Sequence, residues 1–437
     1  MRPDRPHSSP ARRRTALGFV PFAAALAACS SDSPGATAPS AAKASAAGAA
    51  YVDTALSFEN EVFYYASKVN FSAQQTAVRD SANRAAVQPR TDALYNVVGY
   101  SITPFLRNAG DQHSAFFPPS EAPGVTDSPG TTDPRYLVSG LMLPAAAGVR
   151  AASPVAYVWF PTYDGKNDNG RADSTQTVLR TLDQNAPCGW VLDLRFNPGG
   201  QPTAMMAGLN PLIGDTPVSR TQRGFGGWVD YENFTAYLYV QNGEGGAYDP
   251  STGTKYPQVR ASTPYTLKRP NSPVAILTGP LTASAGEWLT LGFRGGPVPY
   301  RTFGQPTYGV TTVPYNYSFA DNGYLNITAG VMMDRLGNLY GGSLTPDVTV
   351  VGPSYRSLTP TQAGTSPDTV VKAAVAWLQS RAECGGTVAS RGPTLLRDVS
   401  GATPPAIRPG QGAQRVSRYW VDGRTRDRMP NGLARQR

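Results

Sequence analysis

Histidine is nearly missing from this chain, with two in 437 residues, His7 and His113. Cysteine is almost as scarce: Cys29, Cys188 and Cys384 are the three, and no two form a CxxC pair. Metal centres built from imidazole and thiolate need three or four such ligands, so neither a metal nor another cofactor is expected. The glycine-rich loop that cradles phosphates is absent too. Charged residues make up only 16% of the chain. No apolar run reaches the roughly 20 residues of a membrane-spanning helix, and no internal repeat is visible.

What is abundant is glycine and proline, 45 and 40 residues, with an ordinary aromatic content of 10%. That mixture fits a β-rich or α/β globular protein with polar tails. The net charge of +9 points to nucleic acid only until it is placed along the chain. Residues 1–28 carry +4 and residues 391–437 carry +7, which leaves the middle at −2. A basic groove for phosphates is not indicated, and nucleic acid is not an expected partner.

The N-terminus reads as an export signal. Arg12, Arg13 and Arg14 precede a 13-residue apolar run, 16–28, the length of a signal-peptide core. The run ends Leu26-Ala27-Ala28-Cys29, which resembles the lipobox of bacterial lipoproteins. The resemblance implies a cleaved leader over 1–28, lipidation of Cys29 and an exported protein anchored to the membrane of the cell envelope. Residues 29–50, rich in Ser, Ala, Gly and Pro, read as a flexible tether. With Cys29 so used, Cys188 and Cys384 remain. In an oxidising compartment they can pair or stay as two buried thiols.

Apolar periodicity places helices over 51–68 and 91–103, so 51–110 reads as a small helical region. The pattern becomes α/β after Pro154, with strands over 155–160, 189–194 and 274–277 and helices over 174–185 and 203–209. Near-continuous apolar strands suit a sheet covered on both faces. Residues 217–265 are rich in Gly, Tyr and Asn and read as an insertion with hairpins rather than core. Asp321-Asn322-Gly323 is a hairpin turn. A last helix is expected over 367–381, capped by Ser366 with Pro367 in its first turn. Residues 385–437, rich in Arg, Pro and Gly, read as disordered.

Three positions carry possible chemistry. If the mature protein uses an imidazole base it must be His113, although its polar setting, Asp111-Gln112-His113-Ser114, reads on its own as a surface loop. Ser284 follows the strand 274–277 and a short turn, where a helix starts. A hydroxyl there stands beside free helix N–H groups that can hold an oxyanion. The same position also suits a simple helix cap. Asn197-Pro198-Gly199-Gly200 ends another buried strand, where α/β sheets bind ligands. It reads equally as an ordinary turn.

Four motifs in order bring these together. Val191-Leu192-Asp193-Leu194-Arg195-Phe196-Asn197-Pro198-Gly199-Gly200, Thr278-Gly279-Pro280-Leu281-Thr282-Ala283-Ser284-Ala285-Gly286-Glu287, Gly304-Gln305-Pro306-Thr307-Tyr308-Gly309 and Gly341-Gly342-Ser343-Leu344-Thr345-Pro346-Asp347 resemble those of the tail-specific, or carboxyl-terminal-processing, serine peptidases. The resemblance implies an α/β, crotonase/ClpP-like spiral core behind the small helical region, with the peptidase domain over 111–384. It implies Ser284 as nucleophile and an oxyanion hole from Ala285, Gly199 and Gly200. Two departures stand out. Val310 or Thr311 occupies the place of the family's catalytic lysine, and the usual PDZ module does not fit between His113 and Val155. A tricorn-type Ser/His variant supplies an upstream histidine instead, and Asp111-Gln112-His113-Ser114 resembles that motif. The residue orienting His113 is left between Asp111 and Asp347. The implied activity is peptide hydrolysis through an acyl-enzyme on Ser284, with His113 as base and a peptide or protein as substrate. The alternative is an inactive relative that binds peptides or apolar ligands in the same cleft.

Overall fold

Three short segments, Val155–Trp159 (β3), Gly189–Asp193 (β4) and Val274–Thr278 (β9), are buried along their whole length. That pattern suits the middle of a parallel sheet covered on both sides. In the computed structural model, which describes residues 43–121, 134–143, 154–163, 167–216, 223–353, 359–360 and 368–385, they lie side by side. Tyr300–Gly304 (β10) and Val348–Thr349 (β14) extend the parallel run, and Ser139–Leu143 (β2) closes the other edge antiparallel to β3. Asp168–Asp183 (α5), Pro202–Ile213 (α6), Ala285–Gly292 (α7) and Thr369–Gln379 (α8) accompany this sheet. The expected mixed α/β architecture behind a helical N-terminal region is what the chain adopts.

A second, eight-stranded sheet is antiparallel. Its spine is the ten-residue strand Tyr324–Met333 (β12). Ala115–Phe117 (β1), Gly226–Asp230 (β5), Thr312–Ser318 (β11) and Leu339–Tyr340 (β13) all pair with β12. Thr235–Gln241 (β6), Glu244–Tyr248 (β7) and Lys255–Arg260 (β8) follow in order from β5. The hairpins expected over 217–265 are therefore present, but they are core rather than an excursion. Phe225, Trp228, Leu238, Val240, Ala247 and Val259 are buried in the same cluster as Trp190, Leu192 and Ile276 of the parallel sheet. Their small and aromatic composition misleads because tight strand packing uses glycine and aromatic residues as readily as aliphatic ones.

The helical region runs Ala46–Val62 (α1), Phe71–Arg84 (α2), Asp92–Val97 (α3), a π-turn over Val98–Ile102 and Thr103–Asn108 (α4). Helix α1 starts inside the stretch that reads as tether, with Ser45 accepting from the Gly48 N–H. Alanine is the best helix former, and one cap is enough to turn an Ala-rich linker into a first turn. This region is not a free module. Val52, Leu56 and Phe63 of its core pack on Phe319, Leu325, Ile327 and Ala329, so one face of β12 seats the helices. Each such fully buried side chain contributes roughly 1.5–3 kcal/mol.

Two buried polar knots fix the ends of this frame. Arg195, just past β4, bridges Asp193 at 2.6 Å and Asp368 at 2.7 Å, all three buried. Asp368 is also the cap of α8, accepting from the N–H groups of Val370 and Val371. It takes the place expected of Ser366, which with Pro367 lies outside the described residues, as do the leader, Cys29, part of the tether and the tail beyond 385. Cys188 and Cys384 are paired in a disulfide, with Cα atoms 5.0 Å apart.

The second knot titrates. Glu59 of α1 is fully buried, and Gln74 Nε2 donates to both its oxygens at 2.6 and 2.9 Å. Burial pushes its carboxyl up to about 8. The Asp111 charge adds to this, and the Gln74 bond opposes it. The folded pKa is raised, so the stabilising contribution is complete below the unfolded value near 4.5 and is lost as pH rises through about 8. Thermal melts should show stability falling from pH 5 to pH 9 by up to roughly 4 kcal/mol, and Glu59→Gln should flatten that slope. Parallel slopes in the two proteins would contradict this assignment.

Candidate active site

Strands β4 and β9 are neighbours in register, Asp193 opposite Leu277, so the turns that follow them emerge together at the carboxyl edge of the parallel sheet. That edge is where open α/β sheets bind ligands. The turns are tied to each other. The Ala283 N–H donates to the Asn197 carbonyl at 3.0 Å, and Thr282 Oγ1 donates to the Leu194 carbonyl at 2.8 Å. Asn197 is buried, and its Nδ2 donates to the carbonyls of Phe160 and Pro161 beyond β3.

Ser284 stands at the N-cap position of α7 with φ 50° and ψ −118°. A non-glycine residue at positive φ costs energy and persists only where its surroundings over-determine it. Here a carboxylate does so. Glu287 Oε2 accepts the Ser284 N–H at 2.9 Å and the Val310 N–H at 2.9 Å. Its Oε1 accepts from Thr307 Oγ1 at 2.5 Å and the Gly309 N–H at 3.0 Å. Burial raises the Glu287 pKa, and these four donors oppose the rise. Glu287 thus clamps the serine turn to the Gly-x-Pro-Thr-x-Gly turn and has no lone pair directed at a substrate proton.

Gly199 lies against Ser284. A Cβ on Gly199 would sit 2.8 Å from Ser284 Cβ and 3.1 Å from the Ala285 nitrogen, and its φ of 110° suits glycine alone. Its N–H donates to Asn197 Oδ1 at 3.0 Å. Of the two glycines expected as oxyanion donors, Gly199 is therefore already engaged. The N–H groups of Gly200 and Ala285 have no acceptor among the described residues. Gly200 itself bridges Tyr163, where a Cβ would run into the Tyr163 carbonyl.

His113 arrives on the loop between α4 and β1. Asp111 is buried and holds that loop by its backbone. It accepts the N–H of His113 at 3.0 Å and of Ser114 at 3.2 Å, and Thr328 Oγ1 on β12 donates to it at 2.6 Å. Asn326 Nδ2 donates to the His113 carbonyl at 2.9 Å. The imidazole Nδ1 is 2.8 Å from Thr312 Oγ1 at the start of β11. Burial lowers the His113 pKa, while the Asp111 charge and a hydrogen bond to the Thr312 backbone oppose the fall.

Neither carboxylate expected to orient the ring is bonded to it. Asp111 serves the loop, and Asp347 accepts from the N–H and hydroxyl of Thr302, both at 2.8 Å. The ring partner is Thr312, which lies 199 positions away in sequence and carries no local signal. Thr312 follows Val310 by two residues, and Val310 shares the Glu287 carboxylate with Ser284. This path joins the imidazole to the Ser284 backbone, and among the described residues no hydrogen bond joins the imidazole to the serine hydroxyl. Catalytic hydrogen bonds are often long without substrate and tighten when it binds. Among the described residues no group of three or more His, Cys, Asp or Glu could hold a metal ion.

Residues 154–350 match the family model of peptidase family S41. The chain carries a domain of that family. The S41 domain spans all four motifs and both turns, and S41 is the tail-specific peptidase family that those motifs resemble. The nisin-resistance protein of Lactococcus lactis subsp. lactis is 29% identical over 189 residues, which cover 43% of this chain and 54% of that protein. The chain thus spans about half the length of this curated relative. Among solved structures, a lipoprotein from Streptococcus agalactiae matches with a TM-score of 0.52 at 19% identity, over 76% of this chain and 96% of that one. The photosystem II D1 C-terminal processing protease matches with a TM-score of 0.45 at 13% identity, over 74% and 98%. The S. agalactiae likeness is one of fold. Helix α2 leaves little trace in the sequence because its buried face is only Gln74, Val78 and Ala82. Its one signal is Asn70, which caps it by accepting from the Ala73 N–H.

Proposed function

We propose that this S41 domain hydrolyses peptide bonds through an acyl-enzyme on Ser284, with His113 as general base. The observation that carries the proposal is the meeting of two turns: Ser284 at the sheet edge, held at positive φ by Glu287, with Gly199 packed on its Cβ. His113 Nε2 takes the proton from Ser284 Oγ as the oxygen attacks the substrate carbonyl. The N–H groups of Ala285 and Gly200 receive the oxyanion, the former at the N-terminus of α7. Collapse of the tetrahedral intermediate returns the proton to the leaving amine. Water then repeats the cycle on the acyl group and frees Ser284. Val310 and Thr311 fill the place of a lysine base with buried, non-ionisable side chains, which leaves His113 the suitable base. The substrate is a peptide or unfolded protein segment. The nisin-resistance relative and the lipoprotein likeness favour an exported, envelope-anchored enzyme acting on peptides outside the cell.

The test is hydrolysis of a mixture of unstructured peptides by the purified protein, read by mass spectrometry. New termini should appear with wild type, and Ser284→Ala should lower the rate by about 10³-fold or more. Peptide binding without cleavage by wild type would instead support a silent cleft.

A further inference from the structure

Among the described residues Thr312 is the hydrogen-bond partner of the His113 ring: its hydroxyl lies 2.8 Å from Nδ1, and its backbone also bonds the ring. In a histidine-assisted hydrolase the proton must sit on the nitrogen that faces away from the nucleophile, so whatever touches that nitrogen decides whether the base is usable. Carboxylates usually fill this place because they can only accept a hydrogen bond. Of the two carboxylates that the sequence offers for this place, Asp111 is committed to the backbone of the loop and to Thr328, and Asp347 to Thr302.

We propose that Thr312 is the positioning residue of His113: its Oγ1 accepts the Nδ1–H, which fixes the tautomer with a free lone pair on Nε2 for the Ser284 proton. This rests on His113 being the base of the peptidase proposed above. Thr312 is suited to the task because its place is fixed by burial and strand pairing. It is almost fully buried at the first position of β11, and its register places it opposite Val331. Its neighbour Thr311 is anchored to the Gly342 carbonyl at 2.7 Å. The His113 backbone is sewn to β12 by Asn326, and β12 pairs with β11. His113 sits on the loop just before β1, and β1 and β11 both pair with β12, so the backbones that carry ring and hydroxyl are held by the register of one sheet. Asp111 lends negative charge from the same loop, and Glu59 and Tyr65 of the helical region couple to Asp111 behind it. During transfer the imidazolium keeps its Nδ1–H on Thr312 while Nε2 holds the serine proton, and no further co-reactant is needed.

The experiment is nitrogen NMR of the full chain labelled at histidine, which contains two imidazoles, with His113→Gln assigning the His113 signals. Near pH 8 the neutral His113 ring should carry its proton on Nδ1. Thr312→Val keeps the shape and removes the hydroxyl. It should shift the ring toward the Nε2–H form and lower kcat by about 10-fold or more with KM little changed. Thr312→Ser should restore both. A wild-type ring protonated on Nε2, or a tautomer unchanged in Thr312→Val while His113→Gln is inactive, overturns the role of Thr312 and leaves the peptidase reading standing. Hydrolysis that survives His113→Gln overturns the base itself and with it any catalytic use of the tautomer.

Discussion

His113→Ala is expected to lower kcat/KM for peptide hydrolysis by about 10³- to 10⁶-fold at neutral pH. The size follows from there being no substitute. The Glu287 carboxylate is saturated by four donors, and the lysine place is filled by Val310 and Thr311. The pH dependence gives a second reading of the same group. A base works while neutral, and burial lowers the His113 pKa below the ordinary 6.5. The acid limb of the wild-type rate profile should therefore fall below pH 6.5, with full rate kept at neutral pH. The linked stability has the same sign: it is complete above 6.5 and is eroded as pH falls through the lowered value, because only the unfolded chain protonates readily. Wild-type rates in His113→Ala, or an acid limb above 6.5, would contradict the assignment.

The second large effect concerns the frame. The Cys188–Cys384 bond closes a loop of 196 residues and joins the start of β4 to the turn after α8. In the chain-entropy account, removing a link across such a loop costs about 5 kcal/mol, which for a domain of this size lowers the melting temperature by on the order of 10 °C. Helix α8 would lose its covalent tie to the sheet and keep the Asp368–Arg195 ion pair and its packing on Val191, Ala275 and Leu277. Replacing both cysteines by alanine is the proper comparison, since a single change leaves a reactive thiol. Melting of the double variant at the wild-type temperature would show that the covalent link adds nothing. Alkylation of Cys188 and Cys384 in the unfolded, unreduced protein would show that they are not joined.

What could be read beforehand was whatever the chain writes locally. The Asn197-Pro198-Gly199-Gly200 and Ser284 turns each close a buried strand, and glycine and a helix start announce them within ten residues. The strands themselves were plain because a fully covered parallel strand is an unbroken apolar run. Thr312 was invisible for the opposite reason. Its meaning comes from register between β11, β12 and β1, and nothing in Thr311-Thr312-Val313 marks a hydroxyl beneath an imidazole. The segment 217–265 reads as an insertion because Gly227, Gly245 and Gly246 resemble loop glycines. Gly227 and Gly246 stand where a neighbouring strand comes too close for a Cβ, against the carbonyls of Ala236 and Tyr256, and Gly245 where helix α6 does, against the carbonyl of Thr203. The donors proposed for the oxyanion are half legible: the turn is written locally, but only the fold shows that Asn197 Oδ1 takes the Gly199 N–H.

The most direct measurement is covalent labelling by a fluorophosphonate, which reacts with a serine only when its hydroxyl is activated and the oxyanion site is formed. On the folded full-length protein, peptide mapping should place the adduct on Ser284, with labelling lost in Ser284→Ala and strongly slowed in His113→Ala. An unlabelled wild type, or an adduct on any other serine, would contradict the claim that these two turns assemble a nucleophile.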